Sequence, residues 1–398
     1  MTSILLIWGK GFKMDNRKKI LILNYEYPPL GGGGGVAAKK LAEAFAQKGY
    51  HVDYVTTYFE GLKANEQING VYVHRVPVLG RKNKANASMI SLLSFPVCAY
   101  RKTVSLCKQN QYEFINTHFA VPTGPLGVRI AKKFKIPNIL SLHGGDIYDP
   151  TKKFSPHKWL IFRLCIKYVI KHSDYVIAQS SNTRENAQKY YPCKKNIKII
   201  PLPYQQVAFD EVTRESLGMN ETDTYLISVG RLVRRKGYDY LIKALSRINR
   251  TDVRLIILGE GPEKEHLEKI IQDKKLAGRV MLPGFVTESK KFQYLSCSDV
   301  YVLSSVHEGF GIVLQEAMQV GLPIVSTNYG GQVDIVKENV NGLLVEHCSA
   351  DALAEGITRL IEHRELMCEM RQNNLKKVKE FYADAIADAY ISCIKGHS

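Results

Sequence analysis

Short aliphatic and β-branched runs alternate with segments of helical spacing along almost the whole chain, and this alternation restricts the fold more than any other feature. Strands are predicted near 20–25, 51–57, 71–77, 113–117, 138–142, 174–179 and 197–201. Helices are predicted between most of them, near 36–48, 89–109, 125–134, 156–172 and 181–190. Pro201-Leu202-Pro203 closes this series, and the polar stretch to about Thr222 reads as a linker. A second series follows, with strands near 224–229, 253–258, 279–282, 299–304 and 323–326. Its helices fall near 237–248, 262–275, 288–296, 311–320 and 330–337, and the chain from about Ala350 to Lys395 is mostly helical. Strands that alternate with helices pair in parallel, with helices on both faces of the sheet. The 398 residues exceed one typical core, so two doubly wound α/β domains are expected. Ligands bind such sheets at the carboxyl ends of the strands, which places a cleft between the two halves.

Charge divides the same way. Residues 1–205 carry 31 Lys and Arg against 11 Asp and Glu, a balance of +20, whereas residues 206–398 carry 24 against 27, a balance of −3. The basic half therefore calls for an anionic partner. Eight cysteines without a C-x-x-C pair argue against a zinc site or a disulfide framework, and for a reducing compartment. No apolar run reaches the roughly 18 residues of a membrane span. Ile4 to Trp8 is short and lacks a basic lead, so no secretory signal is expected, and residues 1–17 read as a disordered extension.

The richest stretch is Ser304-Ser305-Val306-His307-Glu308-Gly309-Phe310-Gly311-Ile312-Val313-Leu314-Gln315-Glu316-Ala317-Met318. A strand, a glycine-spaced turn and a helix start follow one another, and a helix N-terminus offers unpaired N–H groups to an anion such as a phosphate. Glu308 and Glu316 bracket it. Eight helical residues rise about 12 Å, so the two carboxylates suit two ends of an extended, hydroxyl-rich ligand rather than one metal ion. Gly31 to Gly35 open another helix after the first strand, as a flexible loop or a phosphate approach. Gly230-Arg231-Leu232-Val233-Arg234-Arg235-Lys236-Gly237 puts four cations at a strand's carboxyl end, where they suit a diphosphate. His143, in Ser-Leu-His-Gly-Gly-Asp, ends another strand and can donate to a substrate hydroxyl or serve structure. No D-x-D pair is present to hold a nucleotide-bound divalent ion. Lys158 to His172 repeats cations through aromatic and aliphatic neighbours, and with Met89 to Lys102 it reads as an interfacial face or as an ordinary outer helix.

Gly-Arg-Leu-x3-Lys-Gly (230–237), Leu-Gly-Glu-Gly-Pro (258–262), Pro-Gly-Phe-Val (283–286), Glu-Gly-Phe-Gly-x4-Glu-Ala-Met (308–318) and Gly-Gly-x2-Asp-Ile-Val (330–336) occur in order. Together they resemble the retaining, nucleotide-sugar-dependent glycosyltransferases of family 4, which have the GT-B fold. The second half matches almost throughout, the first through its glycine loop and the His143 segment. The resemblance implies two Rossmann-like domains facing across a cleft. Residues 1–205 would be the acceptor-binding domain, 206–381 the nucleotide-sugar domain, and 382–398 a helix packing back on the first. It implies that Glu316 binds the donor's ribose, that Arg231 and Lys236 hold the diphosphate, and that Glu308 with backbone at Phe310, Gly311 and Ile312 positions the sugar. Backbone at Phe285 and Val286 would meet the base, Gly32, Gly33 and Gly34 the donor phosphate, and His143 the sugar near its reacting carbon. The departures are Gln315 where aliphatic residues are common, Asp334 for a usual Glu, and Pro-Leu-Pro in the linker.

The function expected is a hexosyltransferase that moves a sugar from a nucleoside diphosphate sugar, UDP-sugars favoured, without metal or other cofactor. The acceptor expected is a lipid-linked or membrane-presented glycan. The basic domain would rest on the anionic inner face of the cell membrane, giving a cytoplasmic, peripheral enzyme. A GT-B enzyme with soluble substrates, an epimerase or a glucan- or sucrose-type synthase, is the alternative. Nucleic-acid binding is the third reading, with no recognition module to support it.

Overall fold

The computed structural model describes residues 17–84, 87–151 and 155–396. The expected extension at 1–17 lies outside them except for Arg17. The first domain runs β1 (Lys19–Leu23), α1 (Gly33–Gln47), β2 (His51–Thr57), β3 (Asn65–Ile68), β4 (Val71–Val76), α2 (Met89–Gln109), β5 (Phe114–His118), α3 (Gly124–Phe134), β6 (Asn138–Leu142), α4 (Leu160–His172), β7 (Tyr175–Ala178), α5 (Ser181–Tyr190) and β8 (Ile197–Ile199). Its sheet has the order β3-β4-β2-β1-β5-β6-β7-β8, parallel except for the antiparallel edge strand β3. β1 is all but buried because helices cover both faces, which explains its unbroken Ile-Leu-Ile-Leu.

The second domain runs β9 (Thr224–Val229), α6 (Tyr238–Leu245), β10 (Val253–Leu258), α7 (Lys264–Asp273), β11 (Val280–Gly284), α8 (Glu288–Ser296), β12 (Val300–Leu303), α9 (Ile312–Gln319), β13 (Ile324–Thr327), β14 (Gly342–Val345), α10 (Ala350–Glu362) and α11 (Arg364–Lys377). Its parallel sheet has the order β11-β10-β9-β12-β13-β14, the doubly wound pattern in which the winding reverses beside the first strand.

Three sequence expectations are corrected. β3 and β14 were not predicted. Asn65-Glu-Gln-Ile is polar because it caps a sheet edge, and β14 (Gly-Leu-Leu-Val) opens on a glycine with a single β-branched residue. The helix expected at 330–337 is only a 3-10 turn over Gly331–Asp334. Helix α1 starts at Gly33, three residues before the expected Val36, since the glycines themselves form its first turn.

Two crossings join the domains. Tyr204 N–H donates to Phe381 O at 2.7 Å and Ala383 N–H donates to Tyr204 O at 2.8 Å, so the outgoing and returning chains run side by side. The returning helix α12 (Ala383–Lys395) packs on α1, burying Ile386, Ala387 and Tyr390 in the first domain's core. Its Tyr390 hydroxyl lies 3.0 Å from Ser141 Oγ, and Asp388 pairs with Lys48 at 2.8 Å. No described helix is long and apolar enough to cross a membrane.

Candidate active site

In the second sheet the winding reverses between the neighbours β9 and β12, and in the first between β1 and β5. The loops leaving these strands, with the one leaving β6, build the site. After β12 the chain turns through Ser304 to Gly311 and enters α9. Gly311 takes φ +102°, a conformation that a side chain would strain, so the turn needs glycine there. Helix α9 has neither a side-chain cap nor an acidic residue in its first turn; Leu314 N–H donates to Gly311 O, and the amides of Ile312 and Val313 before it face the end of the helix where an anion would sit.

Glu308 lies in that turn with its side chain only 13% exposed. Lys236 Nζ donates to its Oε2 at 2.6 Å, Arg235 approaches Oε1 at 3.6 Å, and Ser305 Oγ reaches Oε2 at 3.4 Å. Burial pushes the carboxyl up, but Lys236 and Arg235 outweigh it and hold the group at about 2. The cationic loop after β9 therefore serves Glu308 with two of its four charges. Arg234 points outward to Glu263, and Arg231 is exposed at the start of the same loop.

Glu316, one turn into α9, is anchored differently. Lys291 of α8 donates to its Oε1 at 2.6 Å, while Oε2 is buried with no hydrogen-bond partner. A buried carboxylate oxygen left bare is costly, and a ligand hydroxyl relieves that cost. Lys40 of α1 brings a second cation toward Glu316, from the first domain. Burial lowers its pKa, Glu316 and Glu288 pull it back up, and its Nζ lies 4.9 Å from the Tyr204 ring.

In the first domain, His143 follows β6. Its N–H donates to Asp146 Oδ1 at 2.9 Å, and its ring lies against Phe119 with centroids 4.3 Å apart. Nε2 sits 2.9 Å from His118 Nδ1, and Nδ1 has no partner. Burial drives both histidines down, His143 to about 3, so both are neutral. His118 Nε2 is likewise buried without a partner, so either direction of the shared bond leaves one ring N–H unpaired, on His143 Nδ1 or on His118 Nε2.

The glycine loop abuts this ring. A Cβ on Gly34 would stand 2.5 Å from Phe119 Cζ and 3.4 Å from His143 Nδ1, and one on Gly33 would stand 3.2 Å from Ile312 Cδ1. His143, the glycine loop and the start of α9 thus meet at one point of the cleft. Part of the loop is already occupied, because Glu26 Oε2 accepts from Gly32 and Gly35 N–H at 3.1 and 3.2 Å.

Phe310 is core, packed on Phe381, and offers a ligand only its backbone. Phe285 is 77% exposed after β11, and Val286 packs against the second domain's core. Gln315, the polar departure in α9, is fully buried and donates to Leu202 O at 2.8 Å, which ties α9 to the linker. Sequence reasoning missed His118, Glu26, Lys291 and Lys40. His118 alone carried a signal, as a histidine at the carboxyl end of a strand; the others depend on which helices pack together. Among the described residues no group of three or more His, Cys, Asp or Glu is arranged to hold a metal ion.

A family model described as Glycosyltransferase Family 4 matches residues 31–204, and one described as Glycosyl transferases group 1 matches residues 209–377. The chain belongs to the family-4 glycosyltransferases and is a hexosyltransferase with the GT-B fold. An uncharacterized glycosyltransferase of Methanocaldococcus jannaschii, MJ1607, is 28% identical over 95% of this chain and 98% of its own. The alpha-monoglucosyldiacylglycerol synthase of Streptococcus pneumoniae is 24% identical over 90% and 84%. Sucrose-phosphate synthase from Thermosynechococcus elongatus superposes with a TM-score of 0.82 at 22% identity, covering 96% of this chain and 99% of its own. Anabaena Alr3699/HepE, solved with UDP and glucose, gives 0.76 at 20% identity, covering 96% and 100%.

Proposed function

We propose that this enzyme transfers a sugar from a UDP-sugar to a lipid-linked or membrane-presented glycan, with retention and without a metal. One observation carries the donor half: two differently held carboxylates, the uncapped start of α9 and the cations of the β9 loop line one cleft. Glu316 Oε2 accepts from ribose hydroxyls. Arg231, Lys236 and the α9 amides take the charge that builds on the diphosphate as the bond from the sugar's anomeric carbon to the phosphate oxygen breaks. Glu308 accepts from hydroxyls of the transferred sugar, and His143 Nδ1–H donates to it from the other domain. The acceptor oxygen bonds to the anomeric carbon on the face the diphosphate leaves, and its proton passes to the departing phosphate oxygen. UDP as the nucleotide draws support from the HepE complex.

The acceptor half rests on the first domain's outer face. Helices α2, α3 and α4 lie side by side there. Met89, Ile90, Leu93 and Val97 of α2 are exposed, as are Trp159, Leu160, Ile161 and Leu164 at the start of α4. Helices α3 and α4 also carry Arg129, Lys132, Lys133, Arg163, Lys167 and Lys171. Exposed apolar side chains on helices that also carry cations suit an anionic lipid surface, and a lipid-acting relative such as the pneumococcal synthase is in keeping with it.

Calorimetry with UDP, GDP and ADP, followed by turnover with the matching nucleotide sugars, tests the donor half. UDP is expected to bind, and Glu316→Ala to lose that binding while remaining folded by circular dichroism. Tight GDP or ADP binding without UDP binding refutes the nucleotide assignment.

A further inference from the structure

We infer that Asp334 is a positioning residue that holds Glu308 in register with His143 across the domain cleft, an inference that rests on the proposed roles of those two residues. The two side chains belong to different domains, so their spacing depends on contacts between loops rather than on either sheet. A continuous path of hydrogen bonds joins them. Gln179, at the end of β7, donates from Nε2 to His143 O at 2.8 Å. Ser180, the N-cap of α5, donates from Oγ to Gly309 O at 2.8 Å. Ser181 opens the helix, and Asp334 of the second domain accepts both its N–H and its hydroxyl at 2.5 Å, one on each carboxylate oxygen. The turn that carries Asp334 begins at Gly331, whose N–H donates to Glu308 O at 2.8 Å.

The tie is chemically specific. A carboxylate at a helix N-terminus meets unpaired N–H groups and the positive end of the helix dipole, and α5 has no acidic residue of its own in its first turn. Charge-assisted bonds of this kind are about twice as strong as neutral ones. It also grips the mouth of the cleft, whereas the Tyr204–Phe381 crossing secures the linkers. Losing Asp334 would leave the Ser180–Gly309 bond as the tie between α5 and the Glu308–Gly309 turn, and would loosen the alignment of the sugar-holding carboxylate and the His143 donor.

The test compares wild type, Asp334→Ala and Asp334→Glu as full-length chains in two assays. Hydrogen exchange is expected to accelerate by about tenfold over residues 180–184 and 308–311 in Asp334→Ala, with β9 and β12 unchanged. UDP release from UDP-glucose is expected to lose about tenfold in kcat, because small misalignments are costly in the transition state. The donor KM and UDP affinity should stay within about twofold, and Asp334→Glu should recover most of kcat. Unchanged exchange overturns the inference. So does faster exchange with an unaltered kcat, which would leave the tie structural only. If wild type binds no UDP, the functional proposal fails by itself, and the exchange data alone then decide whether the tie exists.

Discussion

Lys236 Nζ stands 2.6 Å from Glu308 Oε2, and the two are the most closely paired charges of the cleft's cationic loop. Before any ligand arrives, the cation proposed for the diphosphate neutralises the carboxylate proposed for the sugar. On those proposed roles, donor binding would exchange one partner for another and leave neither charge bare.

This pairing makes the loop structural as well as functional. Lys236→Met strands a largely buried carboxylate and is expected to cost about 3 kcal/mol of stability, as breaking one side of a buried pair does. Adding Glu308→Gln should recover most of that loss without restoring turnover. Urea midpoints of the two variants read the first effect and UDP release the second. A Lys236→Met midpoint equal to wild type would mean that Arg235 alone suffices.

Glu316 should behave differently, because Lys291 holds one oxygen and the other has none. Glu316→Gln keeps the shape but weakens acceptance from ribose hydroxyls, and UDP affinity is expected to fall by about tenfold, the loss of a charge-assisted hydrogen bond. Lys291→Met should also lower UDP affinity, since the carboxylate is then free to turn away. Titration calorimetry measures both. Unchanged affinity in Lys291→Met would reduce that lysine to packing.

Burial sets the sign of the acid response. The His143 pKa falls from 6.5 to about 3 on folding, so the unfolded chain binds the proton first and stability is lost as pH drops from 6.5 toward 3. Glu308, lowered from 4.5 to about 2, adds a loss that begins below 4.5. His118, driven down by the same burial, adds a loss of stability in the same window as His143. His143→Phe is therefore expected to reduce the slope between pH 6.5 and 4.5, and His118→Phe with His143→Phe to flatten it, which urea denaturation along a pH series would follow. Turnover should show no inflection near 6.5 from this histidine. If one appears and vanishes in His143→Phe, the ring is charged in the working enzyme.

What was legible in the chain follows from how local each signal is. The order of strands and helices could be read from Ile20 to Thr327 because parallel strands buried on both faces are uninterrupted apolar runs. Glu308, Glu316 and Lys236 stood in glycine-bounded motifs, and those motifs lie where the strands end. Asn65–Ile68 and Gly342–Val345 escaped because edge pairing tolerates polar residues and glycine. The partners that tune the site escaped for another reason. Lys291 reaches Glu316 from another helix, His118 meets His143 across adjacent strands, and Glu26 fills amides of the loop that follows it. Such contacts depend on tertiary packing and leave no periodicity. The short helix expected at 330–337 failed where Asp334 is committed to α5 rather than to its own turn.

The amphipathic segment Lys158–His172 was ambiguous in sequence, and its exposure makes a sharp prediction possible. An outer helix turns its apolar side chains inward, and Ile166, Val169 and Ile170 of α4 do so. Ile161 is nevertheless 74% exposed, and Val97 of α2 is 75% exposed on the same side of the domain. Lone apolar residues on a surface need no explanation, but several on neighbouring helices beside cations do. If they enter a bilayer, wild type should sediment with phosphatidylglycerol-rich vesicles at low salt and not with pure phosphatidylcholine. Ile161→Glu with Val97→Glu should stay in the supernatant while binding UDP as before, since neither residue touches the cleft. Salt should weaken binding, because cations near an anionic surface contribute about 1 kcal/mol each and are screened. A wild-type protein that ignores anionic vesicles at low salt would remove the membrane from the proposal and leave an acceptor that comes to the enzyme in solution.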